Sequence, residues 1–348
     1  MTPITKHPMT APRKTGAGED FSGLDSRKRK RRLALLRRAG LFRTEGLAVE
    51  VTRACTLSDL LEAYRLVYHT FLANGYMEPN GHSIRVRIFE ATDDTATFIA
   101  KADEEVVGVQ SLALDSPDLG LPSDVAFREE LDAMRKPGIR LCEATNEAIS
   151  PAFRKTAVVT ELMRCASAQS FLRKCDLAVT TVSPSHAGFY DLLGFRQIGP
   201  VRSYSKDIDD PVVLMWIDLK LLQQKDPTLN EYDHFGRDFL TFTNSYIGKV
   251  EAWERQARRC FRDPGLLRKL FLDESGLLET CTKAQRQAIR SRWGDALFAQ
   301  AVGDAKPQSK HWAHRYVPVR PPRGSDKHQQ RKGLSVPRKG MPPRPTEQ

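Results

Sequence analysis

No long hydrophobic run occurs in these 348 residues, and nothing approaches the roughly 18 consecutive apolar residues that a membrane-spanning helix needs. The amino terminus carries charge but lacks an apolar core followed by a small-residue cleavage site, so no secretory signal is read and a cytoplasmic location is expected. Six cysteines, Cys55, Cys142, Cys165, Cys175, Cys260 and Cys281, form no CxxC pair and no Cys/His cluster. That spacing suggests neither a metal site nor a disulfide framework, and reduced, mostly buried thiols are expected. Acidic residues are scarce at both ends. Residues 1–45 hold twelve Lys or Arg against four acids and residues 301–348 eleven against three, so the tails exceed the net charge of +11 and the middle is mildly acidic. A basic balance confined to tails is a weak argument for a nucleic-acid-binding core.

The sharpest basic stretch is SRKRKRRLALLRRAGLFR, Ser26 to Arg43, with six consecutive basic residues followed by leucines at 33, 35, 36 and 41. It reads either as a solvated, disordered arm or as a basic amphipathic helix that makes a weak contact with anionic lipid or an acidic partner. The carboxyl end is Pro-rich, basic and poor in apolar residues, and disorder is expected there. The expected organisation is a basic arm over 1–45, a catalytic domain over 46–220, a helical extension over 221–302 and a disordered tail over 303–348.

Within the core, periodicity alternates. Asp59 with Glu62 reads as a capping box, and Leu60, Tyr64, Val67 and Phe71 recur at helical spacing, which predicts a helix over 59–73. Residues 95–101 and 105–114 are β-rich and read as a hairpin; strands follow at 139–149, 177–182 and 212–219, with a long helix over 156–174. Ser185 reads as the N-cap of a short helix that Gly194 stops. This order suits an α/β (α+β) fold with a mixed central sheet flanked by helices. Beyond it, residues 233–253, 264–278 and 283–302 each have helical apolar spacing.

Two side chains carry candidate chemistry. Alternation along Arg140–Ile149 puts Leu141, Glu143, Thr145 and Glu147 on one face and Cys142, Ala144, Asn146 and Ala148 on the other. On a solvated face the acids simply meet water; under a substrate pocket, Glu143 is desolvated enough to act as a general base near neutral pH. Tyr190, near the mouth where strand 177–182 ends, either packs or gives up a proton.

The run VSPSHAGFYDLLGF, Val182 to Phe195, resembles the last core motif of the GNAT acyltransferase superfamily, and more closely its N-acyl amino acid synthases of the FeeM type, relatives of the acyl homoserine lactone synthases. The resemblance continues upstream, in order, through AYRLVYHTFLANGYMEP (Ala63 to Pro79), TATFIAKADEEVVGVQSLALDSPDLGLPSD (Thr95 to Asp124) and RLCEATNEAISPAFRK (Arg140 to Lys155). It implies a GNAT-like mixed sheet and transfer of a fatty acyl group from an acyl carrier protein thioester to the amine of an amino acid or similar molecule. No bound cofactor is implied beyond the donor's acyl-phosphopantetheine. Glu143 becomes the base and Tyr190 the proton donor to the departing thiolate; Arg65, Tyr76, Asp115, Thr145, Asn146 and His186 become substrate-binding; and Phe153, Arg154, Lys155 and Thr156 become the phosphopantetheine site. The loop Leu114–Asp124 becomes a cover over a greasy pocket.

Two departures qualify this. The family usually has arginine where Asn146 stands, and a neutral amide cannot clamp a carboxylate as a guanidinium does. Typical superfamily members also place a Gly-rich turn at a helix start, where free amides meet the pyrophosphate of coenzyme A; the stretch Phe153–Val158 contains no glycine, which disfavours close backbone approach. Carrier-protein phosphopantetheine, with one phosphate, asks for less, and Arg154 and Lys155 still supply charge. The alternatives are a coenzyme A-dependent N-acetyltransferase and a decayed binding protein of the same fold.

Overall fold

The computed structural model describes Ala34 and residues 49–154, 156–204, 211–220 and 232–303, so the amphipathic arm apart from Ala34, and the Pro-rich tail, lie outside the described residues. Seven strands form one mixed sheet: β1 (Glu50–Arg53), β2 (Thr95–Ala102), β3 (Glu105–Leu114), β4 (Leu141–Ile149), β5 (Leu177–Val182), β6 (Arg196–Ser203) and β7 (Pro211–Asp218), in the order β1-β2-β3-β4-β5-β7-β6. Every pairing is antiparallel except β4 with β5. The β2–β3 hairpin turns on Asp103 and Glu104, with φ of 48° and 66°; two positive φ values in a two-residue link match the right-handed twist of the flanking strands.

Helices cover both faces. On one lie α1 (Leu57–Ala73), a 3-10 turn (Ile88–Ala91) and α2 (Asp124–Met134); on the other lie α3 (Val158–Leu172) and α4 (Pro184–Leu192). The chain starts α1 two residues earlier than the spacing predicts, because Thr56, not Asp59, is the N-cap: its Oγ1 accepts the Asp59 N–H at 3.1 Å. In α4 the cap is likewise Ser183 rather than Ser185, with Pro184 in the first turn, where its missing N–H costs nothing. Gly194 ends the helix as expected, at φ 96°. Close seating of α3 on the sheet depends on Gly108: a Cβ there would lie 2.6 Å from Val158 Cγ1 and 3.0 Å from Leu162 Cδ1.

Beyond β7 the described chain is helical, as its spacing predicts: α5 (Tyr232–Cys260), α6 (Pro264–Arg268), a π-helical turn (Lys269–Glu274), α7 (Leu277–Thr280), α8 (Lys283–Trp293) and α9 (Asp295–Val302). These helices share cores with the sheet. Leu266, Leu267, Leu270, Phe271, Leu278 and Ile289 pack with Leu60, Ala63, Tyr64 and Val67 of α1, while Val250 and Trp253 of α5 pack against α3 and β2. Arg292 grips Asp118 through two hydrogen bonds of 2.5 and 2.8 Å and reaches Asp94 at 2.9 Å, fastening α8 to the loops at one end of β2 and β3. No helix among the described residues is long and apolar enough to cross a membrane.

One irregularity positions the site. Parallel pairing of β4 with β5 lasts only from Leu141–Glu143 to Leu177–Val179, after which the strands have no mutual register and the sheet opens between them.

Candidate active site

The opening holds a cavity of about 520 Å³ lined from both faces of the sheet. From the α1 side come Thr70, Phe71, Asn74, Tyr76, Arg85, Thr145, Asn146 and Tyr204; from the α3 and α4 side come Gln110, Glu147, Phe153, Arg154, Thr156, Val159, His186, Phe189 and Tyr190. Only a gap in the sheet lets one cavity touch both layers, and a reaction between two substrates entering from opposite sides suits that shape.

A bulge in β4 sets which side chains meet there. Ser111 pairs with Thr145, but Val109 pairs with Ala148, so β4 carries one more residue than β3 between these registers. Asn146 absorbs the excess at φ 54°, a left-handed conformation that asparagine tolerates better than most residues. Facing is thereby reversed past the bulge. Asn146 and Ala148 join Glu143 and Thr145 on the α1 side, whereas Glu147 turns to the α4 side. Simple alternation, which puts Glu143 and Glu147 on one face, fails at this point.

The consequences differ for the two glutamates. Glu143 is fully buried and does not line the cavity: its Oε2 accepts the Ser123 N–H at 2.8 Å, before the first turn of α2, and its Oε1 has no hydrogen-bond partner. Burial pushes its carboxyl up to about 7, against the pull of the Ser123 N–H and Arg87. Glu147 opens into the cavity, where water reaches it, yet protein crowds it closely enough for desolvation to raise its carboxyl to about 7 as well. Tyr190 Oη donates to Glu147 Oε2 over 3.5 Å. Packing and chemistry coexist in Tyr190: its ring lies edge-on to Phe189 and Phe195, at 5.7 and 5.4 Å, while its hydroxyl reaches the cavity. Burial, then the neighbouring Glu147, lift the phenol well above its ordinary value, so it stays a proton donor.

On the α1 side a polar cluster surrounds Asn146. Its Nδ2 donates to Glu90 Oε1 at 2.9 Å and to Ser111 Oγ at 3.4 Å, and its Oδ1 accepts from Arg85 Nη1. Arg87 binds Glu90 at 2.6 Å and Thr145 Oγ1 at 3.4 Å. Although burial works against its charge, Arg87 and Arg85 hold the Glu90 carboxyl below the usual range.

The remaining expected residues divide. Tyr76, Thr145, Asn146, His186, Phe153, Arg154 and Thr156 line the cavity beside Tyr190. Thr156 Oγ1 accepts the Val158 N–H at 3.3 Å at the start of α3, and Arg154 is exposed there. Lys155 lies outside the described residues. Arg65 is not in the cavity; it is half-exposed and paired with Glu274 at 3.4 Å. Asp115 is also elsewhere, locked to Arg135 by contacts of 2.9 Å, with Asp124 as that arginine's second partner. The loop 114–124 does not cover the cavity either, since Leu121 fills the core under α2 and Leu119 packs against the α1 cluster. Arg85, Gln110 and Tyr204 line the cavity without any periodic signal in the sequence, and only an asparagine inside a strand pattern hinted at the bulge that delivers Glu147.

Residues 62–218 match the family described as N-acyl amino acid synthase FeeM. Among solved structures, the chain is similar to FeeM, an N-acyl amino acid synthase from uncultured soil microbes, at 24% identity over 49% of this chain and 91% of that one, with a TM-score of 0.44. It is also similar to the acyl homoserine lactone synthase LasI, at 17% identity over 49% and 89%, TM-score 0.40, and to the coenzyme A-dependent synthase BjaI, at 18% identity over 54% and 89%, TM-score 0.39. No curated protein sequence matches. The family match runs from within α1 to the end of β7 and so includes every residue that lines the cavity.

Proposed function

We propose, for a chain whose residues 62–218 match the N-acyl amino acid synthase FeeM family, that it moves a fatty acyl group from an acyl carrier protein thioester to the amine of an amino acid or similar amine. The observation that carries this reading is the cavity through the opened sheet, with Glu147 and Tyr190 hydrogen-bonded inside it. A carboxylate with a pKa near 7 suits proton removal, and a phenol kept protonated suits proton delivery.

The donor's pantetheine arm enters on the α3 and α4 side, along Phe153 and Thr156, with its phosphate beside Arg154 at the start of α3. A single phosphate needs only that charge and the first-turn amides; the glycine-free turn is ill suited to a pyrophosphate. From the α1 side the amine approaches the thioester carbonyl. Glu147, directly or through one water, takes the amine's proton as nitrogen bonds to the carbonyl carbon. Backbone amides of β4 at the bulge, free of β5 on that edge, stabilise the oxyanion. When the carbon–sulfur bond breaks, Tyr190 protonates the thiolate and regains its proton from Glu147, so the base and the acid are one relay. Glu143 then acts as a positioning residue that fixes the start of α2, not as the base.

The test is product formation by the purified full chain with a fatty acyl carrier protein and a panel of amino acids, compared with the same acyl group on coenzyme A. An N-acyl product formed faster from the carrier protein supports the proposal; faster formation from coenzyme A moves the donor assignment to coenzyme A, and no amide from either donor refutes acyl transfer.

A further inference from the structure

Asn146 leaves open what recognises the far end of the acceptor, and the polar cluster around it points to an answer. Arg85 lines the cavity, stacks over the Phe71 ring with its guanidinium carbon 4.6 Å from the centroid, and hydrogen-bonds the neutral Asn146 side chain. The acid bonded to the same amide is already engaged: Glu90 binds Arg87 at 2.6 Å and accepts from Asn146 at 2.9 Å. The Asn146 amide is also oriented by these bonds, since its Nδ2 faces Glu90 and its Oδ1 must face Arg85. Around Asn146 two guanidiniums face one firmly ionised carboxylate, Glu90, and one carboxyl at about 7, Glu143, so positive charge stays in excess. Burial, then Arg87, bring the Arg85 guanidinium down to about 10, so it remains a cation at neutral pH. A half-buried cation whose hydrogen-bonding partner is neutral, held rigid at a cavity wall, is a prepared anion site.

We propose that Arg85 holds the carboxylate of the acceptor, which is therefore a zwitterionic amino acid rather than a simple amine, and that Asn146 positions this guanidinium from the strand. The assignment rests on the acyl-transfer reading above. It places the acceptor's anion on the α1 side with Tyr76 and Tyr204 beside it, across the sheet from Arg154. The donor's phosphate and the acceptor's carboxylate thus have separate cations.

Three measurements test it with the purified full chain and a fatty acyl carrier protein as donor. First, wild type is offered an amino acid, its carboxamide and its decarboxylated amine; the acid is favoured by about 10- to 100-fold in kcat/KM. Second, Arg85→Gln loses that preference through a raised acceptor KM, with donor KM unchanged, whereas Arg85→Lys keeps part of it. Third, the exchange variant Arg85→Asn with Asn146→Arg, which returns a guanidinium from the strand, restores preference for the acid. Equal use of acid and amide by wild type overturns the assignment while acyl transfer stands, as does an Arg85→Gln that slows both acceptors alike. Failure to acylate any of the three overturns both readings. A raised donor KM in Arg85→Gln would instead place the donor's phosphate at this cation and refute the acceptor site.

Discussion

Glu143 and Glu147 lie four residues apart on one strand, and desolvation raises each carboxyl to about 7, yet only Glu147 opens into the cavity. A pH profile of two variants separates them. Glu147 must be a carboxylate to take a proton, so kcat/KM for amide formation should rise with pH through about 7 in wild type. Glu147→Gln should lose that rise and keep only the higher rise that belongs to the amine substrate itself. General-base catalysis is typically worth about 10²- to 10⁴-fold, and the variant's deficit should fall in that range near pH 8. Glu143→Gln, which still offers an oxygen to the Ser123 N–H, should retain the rise. Tyr190→Phe supplies the second half of the relay: its deficit should shrink when the donor is a thioester of a more acidic thiol, which leaves without protonation, while the deficit of Glu147→Gln should not. Rates are read by amide formation under saturating donor, with thermal melting as the folding control. A profile unchanged in Glu147→Gln but flattened in Glu143→Gln would falsify the assignment and return the base to the buried carboxylate.

Two further perturbations act through stability. Glu143 is ionised less readily folded than unfolded, so it contributes stability below about pH 4.5 that is lost as pH rises through about 7. The interval corresponds to on the order of 3 kcal/mol; urea midpoints of Glu143→Gln should depend less on pH between 5 and 8 than those of wild type, and equal slopes would show the carboxyl is not strained. Gly108→Ala puts a Cβ 2.6 Å from Val158 and should force α3 off the sheet, with a loss of about 1–3 kcal/mol. Because Phe153, Arg154 and Thr156 ride on the start of that helix, donor KM should rise with it; a fall in melting temperature with donor KM intact would separate packing from donor binding.

Much of the architecture was legible because it rests on local periodicity. Apolar residues spaced for α1 and α3, the β-rich runs of the hairpin and the helical stretches after residue 232 all form what their spacing predicts. Elements that the spacing left unpredicted include β1, α2, β6 and the 3-10 turn at Ile88–Ala91. β6 is an edge strand, RQIGPVRS, largely exposed and broken by glycine and proline, so it lacks a buried face to alternate with. The 3-10 turn at Ile88–Ala91 is too short for periodicity and is held by Glu90 gripping Arg87 through backbone and side chain. Eight of the twelve expected site residues line the cavity, and four of them, Thr145, Asn146, His186 and Tyr190, are fixed relative to one another by motif positions on β4 and α4. Arg65 and Asp115 do not, since each is claimed by an opposite charge from a distant segment, Glu274 and Arg135, that no local pattern reveals.

The bulge shows how far one residue can turn the faces of a strand. A period-two strand assigns faces only while register holds, and one left-handed residue reverses every assignment after it. Asparagine at 146 brings no guanidinium of its own, yet it adopts φ 54° readily and turns its amide toward Glu90 and Arg85. The bulge therefore places Glu147 next to Tyr190 while the amide holds Arg85 at the opposite wall, so the proposed base and the proposed anion site depend on one backbone conformation. Relieving it should damage both together. Asn146→Val, whose β-branched side chain resists a positive φ, should lower kcat as Glu147→Gln does and erase the acid preference as Arg85→Gln does; loss of one property without the other would separate the two roles.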